Sequence, residues 1–357
     1  MDLLPRTPDE IGAAWLEGAL AERHPGVRVG RVEVIERHEA TNGHARLRVD
    51  YDAAAGAPSA MFCKLLPSDP KRRPAVARTG MGRREALFYA RLAPSLCMRT
   101  PAVYAALHDD RDGSFLLLLE DLVATGCGVS DGTTGVAPAA AAGALEDLAR
   151  LHRRFEDPDC RRAQAGWVPA PLHDPSYGAT LLRHGLDQHR DRLSRDFAEI
   201  AELYIAKADA LHALWQEGPT TVIHGDAHIG NLFDDHGRTG FLDWGIVSLG
   251  TPLRDVSYFL AMALSIEDRR RHERDLLRHY LDVRAAGAGG APIDFDEAWR
   301  SHRIHAAYTV VACCQIVTFP ENVSEGRRIF SEAFLARAEA AIADLGARAA
   351  LCEAAGL

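Results

Sequence analysis

Lysine is nearly missing from this chain. Of its 41 Lys and Arg residues, only Lys64, Lys71 and Lys207 are lysine. Lys71 sits in the polar run DPKRRP and Lys207 on a helical face, where each is explained as a solvated charge. Lys64 stands inside the apolar run MFCKLL, where burial disfavours an ammonium unless chemistry requires it. Positive charge is short overall. The formal net charge of -9 excludes a general nucleic-acid binder, because phosphate backbones select basic faces. No apolar run approaches the roughly 18 residues of a membrane span. The opening MDLLPRTPDEIGAAW lacks the basic start and apolar core of a secretory leader. The 7 cysteines include no CxxC pair, and only Cys313 and Cys314 are neighbours. They read as reduced thiols of a cytoplasmic protein, not as a zinc or redox site. A dinucleotide fingerprint is absent too: the cluster Gly126-Cys127-Gly128 to Gly132 is one residue too long and opens into no helix.

What is present suffices for two cores: 357 residues, 47% hydrophobic. Charged residues at 25% rule out wholesale disorder. Residues 8–22 pattern as a capped amphipathic helix with Ile11, Trp15, Leu16 and Leu20 on one face. Strand-like runs follow at 31–37, 45–51 and 60–65. Asn42-Gly43 marks a hairpin between the first two, and the three are expected as an antiparallel meander. A helix over GRREALFYARLAP and strands over PAVYAALHD and SFLLLLEDL complete a β-rich unit by Asp121. From residue 122 onward helical periodicity dominates, at 139–155, 193–216, 254–264, 266–284, 295–317 and 326–345. One strand–loop–strand stretch, TTVIHGDAHIGNLFDDHGRTGFLDWG, interrupts it. Several features need only ordinary readings. The basic run 269–279 reads as a solvated helix face with Leu276, Leu277 and Leu281 inward. Trp167 reads as a loop anchor and the apolar stretch 306–316 as core.

The densest polar cluster is His224-Gly225-Asp226-Ala227-His228-Ile229-Gly230-Asn231, followed by Asp243-Trp244-Gly245. Apolar pairs bracket it, so Asp226, Asn231 and Asp243 fall at the ends of buried strands. One carboxylate to orient a hydroxyl, with an amide and a second carboxylate to hold a cation against phosphates, is the inventory phosphoryl transfer requires. His224 and His228 are also spaced i, i+4 like a zinc pair, but Gly225 and Gly230 argue for a loop where that pair needs a helix.

These residues resemble the aminoglycoside/choline phosphotransferase superfamily, whose catalytic loop reads HxDxxxxN and whose metal-binding strand ends in D-W or D-F. FLLLLEDL, RREALFYARL and the DWG-x-x-S-x-G-x-P-x-x-D run resemble its ecdysteroid-kinase-like branch most. The resemblance spans residues 30–265. It implies an α+β, protein-kinase-like, two-lobed fold, with a nucleotide-binding lobe over 1–121 and a helical catalytic and acceptor lobe over 122–357. It implies Asp226 as catalytic base, His224 as the loop-ordering residue, Asn231 and Asp243 as metal ligands, and Asp255 as the brace of the catalytic loop. Lys64 is implied to grip the α- and β-phosphates, positioned by Glu85 of the next helix. Glu120, Asp121 and Leu122 are implied as the lobe-connecting hinge, whose backbone takes the base. HEATNGHAR, with Asn42 and Gly43, is implied as the phosphate-covering loop, although it has one glycine and not a full set. The function implied is Mg²⁺-dependent transfer of the γ-phosphate of ATP, GTP not being excluded, to a hydroxylated small molecule. An apolar tail after residue 295 favours a lipophilic alcohol over an aminoglycoside or choline-type acceptor. A pseudokinase regulating a partner is the alternative of another class, disfavoured because a binding module needs no catalytic carboxylate.

Overall fold

A computed structural model describes residues 4–171, 174–286 and 292–356. The chain divides into two compact units. One takes Met1–Val129, Asp234–His236 and Gly240–Val247; the other takes Ser130–Phe233, Gly237–Thr239 and Ser248–Leu357.

In the first unit, helix α1 (Ala13–Leu20) precedes strands β1 (Arg28–Glu39), β2 (Gly43–Ala53) and β3 (Ala60–Leu65). After α2 (Arg73–Arg78) and α3 (Met81–Leu87) come β4 (Val103–Asp109), β5 (Ser114–Glu120) and the short β6 (Gly128–Val129). The first five strands form one antiparallel sheet in the order β1-β2-β3-β5-β4. Alternation along β2 sets its two faces. Ala45, Leu47 and Val49 join Ile11, Leu16 and Leu20 in one apolar cluster with Met61, Cys63 and Leu116, while His44 and Arg46 face the other way. Strand β5 is buried at every position. It lies between β3 and β4, which accounts for an unbroken apolar run where an edge strand would alternate.

The hairpin turn is built differently from the Asn-Gly expectation. Glu39 pairs with Gly43, so Gly43 already belongs to β2. The connection is Ala40-Thr41-Asn42, closed by the Ala40 N–H on the Asn42 carbonyl at 2.9 Å. The helix expected over 82–94 also changes character, passing at Phe88 into a wider π-type turn through Leu92. Its start is fixed by close approach: a Cβ on Gly82 would stand 2.0 Å from the Phe115 ring.

In the second unit, α4 (Pro138–Glu156), α5 (Pro158–Ala165), α6 (Pro175–His189) and α7 (Arg195–Leu214) lead to strand β7 (Thr221–Ile223). Then come β8 (Leu232–Asp235), β9 (Arg238–Phe241) and β10 (Ser248–Gly250), the last antiparallel to β7. Helices α8 (Pro252–Ala263), α9 (Ile266–Ala286), α10 (Phe295–Ala306), α11 (Thr309–Ala312), α12 (Glu325–Leu345) and α13 (Ala347–Ala355) complete the unit. Every residue of α8 is buried. The single helix expected over 295–317 is broken after Ala306. There the Thr309 hydroxyl bonds the Ala306 carbonyl at 2.7 Å, and helix resumes only as the short α11, whose β-branched run Thr309-Val310-Val311 has low helix propensity. The basic face of α9 is less solvated than its charge suggests. Arg269 is buried and paired with Glu273 at 2.8 Å and with Asp344. Among the described residues no helix is long and apolar enough to cross a membrane.

Candidate active site

Two groups of polar side chains stand out, one in each unit. In the first unit β3 delivers Lys64 to the sheet face opposite the α1 cluster, and α3 delivers Glu85. The Lys64 ammonium lies 2.7 Å from Glu85 Oε2 and 3.0 Å from Asp243 Oδ1. Burial works against this ammonium, but the two carboxylates outweigh it and hold the lysine protonated beyond its usual range. Glu85 is pushed up to about 7 by burial, against the pull of Lys64. One cation thus faces two carboxylates, of which Asp243 is the exposed one, its side chain 40% accessible. Asp243 adopts left-handed backbone, φ 58° and ψ 64°, a conformation uncommon for a residue with a Cβ. Helix α3 holds it there. Arg84 Nε donates to the Gly245 carbonyl at 2.8 Å, the Trp244 N–H donates to Glu85, and Trp244 stacks on Phe88 at 3.8 Å with rings 7° from parallel.

The expected hinge residues carry structural bonds. Glu120 takes the Arg99 guanidinium through both oxygens, at 2.8 and 2.9 Å, and the Ala102 N–H at 3.0 Å. Asp121 accepts Arg46 Nε at 2.8 Å, and the buried Leu122 gives its carbonyl to the Cys127 N–H at 2.9 Å. Both carboxylates are thereby committed to arginines, and only main-chain groups of this segment are left to meet a ligand. Asn42 is buried and Gly43 is paired in β2.

In the second unit β7 ends at Ile223, and the chain turns from His224 to His228 without forming a helix, followed by one 3-10 turn at Ile229–Asn231. The buried Asp255, in the first turn of α8, accepts the His224 N–H at 2.6 Å and the Gly225 N–H at 2.8 Å. His152 Nε2 adds a contact at 3.3 Å, and its other nitrogen meets the Tyr280 hydroxyl at 2.9 Å. Burial alone would raise the Asp255 carboxyl, but the His152 bond and the main-chain donors hold it below the usual range. Asp226 is fixed from several directions. Its N–H donates to His224 Nδ1 at 3.2 Å, and Asn231 Nδ2 donates to its carbonyl at 3.0 Å and its Oδ2 at 3.1 Å. The buried Tyr258 hydroxyl bonds the same carboxylate. Gly230 N–H donates to His228 Nδ1 at 3.0 Å, which leaves the proton of a neutral imidazole on Nε2, 3.6 Å from Asp226 Oδ2. The histidine-pair alternative lacks the helix it needs, and no group of three or more His, Cys, Asp or Glu among the described residues is arranged as a metal site.

The structure therefore gathers Lys64, Glu85 and Asp243 in one group, and His224, Asp226, Asn231 and Asp255 in another. Arg84, His152 and Tyr258 were missed from sequence, and His228 was weighed there only as a zinc-pair partner of His224. His152 had a signal, as a polar residue in the apolar stripe Leu145, Leu148, Phe155 of α4, whereas Tyr258, one of several large side chains in the wholly buried α8, had none.

The Asp255 cradle has a testable consequence. A carboxyl whose folded pKa is depressed contributes stability above its unfolded pKa and loses it as pH falls through the lower folded value. Asp255→Asn should cost about 2–3 kcal/mol near neutral pH, the range of charge-assisted bonds. It should also flatten the acid limb of a melting-temperature profile below about pH 4. A variant melting like wild type with the same acid limb refutes the brace.

A family model described as the phosphotransferase enzyme family matches residues 42–292. No curated protein matches the sequence. Among solved structures, a protein of Ralstonia eutropha JMP134 described as an aminoglycoside phosphotransferase is similar at 14% identity and TM-score 0.52, covering 93% of this chain and 98% of its own. A variant of aminoglycoside 2'-phosphotransferase-IIIa, solved with GDP, is similar at 15% identity and TM-score 0.52, covering 94% of this chain and 99% of its own. A choline/ethanolamine kinase family protein of Mesorhizobium loti follows at 16% identity and TM-score 0.48, covering 90% and 92%. The first two likenesses show an α+β, protein-kinase-like fold.

Proposed function

The chain belongs to the phosphotransferase enzyme family and is a small-molecule kinase, and from that premise we propose that it transfers the γ-phosphate of ATP to a hydroxyl of a small acceptor. The observation that carries the nucleotide half is the Lys64 ammonium held between Glu85 and Asp243 at 2.7 and 3.0 Å. Lys64 grips phosphate oxygens, and Glu85 keeps it aimed. Asp226 orients the acceptor hydroxyl and takes its proton, while His224 and Asp255 set the loop that carries Asp226.

Asp243 and Asn231 are the residues that would hold Mg²⁺. Asp243 fits as a donor: with Glu85 it outnumbers the one ammonium beside it, and Mg²⁺ is bound through few protein groups together with phosphates and water. When bound, the ion offsets the charge of the phosphates during transfer.

The acceptor side points away from a purely lipophilic alcohol. Of the apolar residues expected to favour one, Val310, Cys313 and Val317 are consumed in the helical core. A cavity of about 1000 Å³ in the second unit is lined by Tyr177, Arg192, Phe319, Glu321, Arg327 and Leu335 among others. Its wall mixes aromatic faces with charges of both signs, which suits an amphiphilic acceptor. Helix α12 also rests Phe330 and Phe334 on the His228 ring, at 6.1 and 5.1 Å, so one helix serves this wall and the Asp226 loop.

The test is ADP release from ATP across a panel of hydroxylated amphiphiles, run as a Mg²⁺ titration. Wild type should turn over with at least one acceptor. Asp243→Asn and Asn231→Ala should each need more Mg²⁺ for half-maximal rate. If either variant keeps the wild-type Mg²⁺ dependence, its assignment as a ligand is wrong.

A further inference from the structure

Loops that cover phosphates ordinarily use glycines with positive φ, which turn successive main-chain N–H groups toward the anion. The β1–β2 connection cannot do this. No residue from 39 to 44 has positive φ, the Ala40 N–H is spent on Asn42, and Gly43 is paired with Glu39 and Leu65. A Cβ on Gly43 would meet the Leu66 carbonyl at 3.2 Å, so that glycine serves close packing. Side chains at this end of the sheet can meet the phosphates instead.

The next residue is placed to do so. His44 is the direct cross-strand partner of Lys64, so the two side chains leave the same face as neighbours. The imidazole is fixed by ring contacts, with His38 at 6.1 Å and 8° from parallel, and with Phe62 at 5.5 Å. Neither of its nitrogens has a hydrogen-bond partner among the described residues, and the residue is only half buried. Beside it the Asn42 side chain is 4% exposed with its Oδ1 buried and unpartnered. An unbonded amide end in such a place is costly unless a ligand completes it. The two amide ends are sterically equivalent, so half a turn presents a donor at the same point.

We propose that His44, with Asn42, contacts the nucleotide's polyphosphate through side-chain donors, in place of the main-chain N–H groups of a glycine-rich loop. The inference rests on Lys64 being the phosphate grip proposed above. Ring contacts with His38 and Phe62 hold the imidazole on the sheet face it shares with Lys64. Burial and the Lys64 charge push His44 down to about 4, so it meets phosphate near neutral pH as a neutral N–H donor and not as a second fixed cation.

The experiment is calorimetric titration of the full chain with ATP and with adenosine, both in Mg²⁺, for wild type, His44→Phe, His44→Gln and Asn42→Ala. Phe keeps the ring stack and removes the donor, while Gln restores a donor without the ring. His44→Phe should weaken ATP about tenfold to a hundredfold, the span of a hydrogen bond to a charged group, with adenosine affinity unchanged. His44→Gln should recover part of that loss, and Asn42→Ala should weaken ATP in the same selective way. Unchanged ATP affinity in His44→Phe overturns the proposal. An equal loss for ATP and adenosine also overturns it, because His44 would then wall the base. Lys64→Ala separates the two readings. If it weakens ATP while His44→Phe does not, only the His44 assignment fails; if wild type binds no nucleotide, both fall together.

Discussion

Asp226→Asn is expected to lower phosphoryl transfer by roughly two to four orders of magnitude, the span of a general base, and to leave ATP affinity near wild type. The substitution keeps the shape and removes the charge. It acts where the acceptor's proton is handled, which matters in the transition state and little to nucleotide binding. The carboxylate accepts from Asn231 Nδ2 at 3.1 Å and from the Tyr258 hydroxyl. An amide there keeps an acceptor for these donors but loses the charge that strengthens both bonds and the basicity that takes the proton. Tyr258→Phe, which removes one of the donors, should cost less, roughly tenfold in turnover. Single-turnover transfer, with calorimetry of ATP binding as control, checks both. An Asp226→Asn enzyme with full transfer activity sinks the assignment. A wild type that binds ATP but transfers to nothing, with the variant indistinguishable from it, leaves the pseudokinase reading standing.

Lys64→Ala is the second large effect, and it should separate binding from folding. ATP affinity should fall at least about tenfold, because a charged phosphate contact disappears. The stability consequence depends on pH. Glu85 is buried and pushed up to about 7 even with the ammonium beside it. A carboxyl with a raised folded pKa favours the folded state at pH below its unfolded value and loses that contribution as pH rises through the folded one. Without Lys64 that folded value moves higher still, because nothing offsets burial. The melting-temperature deficit of Lys64→Ala should therefore grow between about pH 5 and pH 8. The pair Lys64→Ala with Glu85→Gln should regain stability at pH 8 without regaining ATP affinity, since it removes the stranded carboxyl but not the need for a phosphate partner. A deficit independent of pH, or ATP affinity equal to wild type, contradicts the arrangement.

The motif-bearing parts were legible because their chemistry is contiguous or written in alternation. The order from His224 to Asn231 needs no fold to be recognised, and a lysine amid MFCKLL marks β3 whatever surrounds it. Strand β3 has the bounds its pattern predicts, Ala60–Leu65. Other parts were illegible for definite reasons. Asn42-Gly43 carries the composition of a two-residue turn, but the pairing of Glu39 with Gly43 moves the turn one residue earlier, a choice made by register and not by local propensity. Helices α5 and α6 lie in a stretch with weak apolar periodicity. Each announces itself instead by Asp-Pro, with Asp157 and Asp174 capping the N–H groups of Asp159 and Ser176, a signal available but unused. The burial of Arg269 depends on Asp344, a partner distant in sequence, and no short window of residues contains both.

The stacking of Trp244 on Phe88 has a consequence for how the protein comes off the ribosome. Residues Gly240–Val247 belong to the same compact unit as Met1–Val129, yet more than a hundred residues of the other unit are synthesised between them. Until that later stretch emerges, α3 lacks the indole on Phe88 and the main-chain partner of Arg84, and Lys64 lacks one of its two carboxylates. The amino-terminal part is therefore not a detachable module completed early in translation. It stays unfinished, with the Phe88 ring uncovered and Lys64 facing Glu85 alone, until residues Gly240–Val247 have been synthesised.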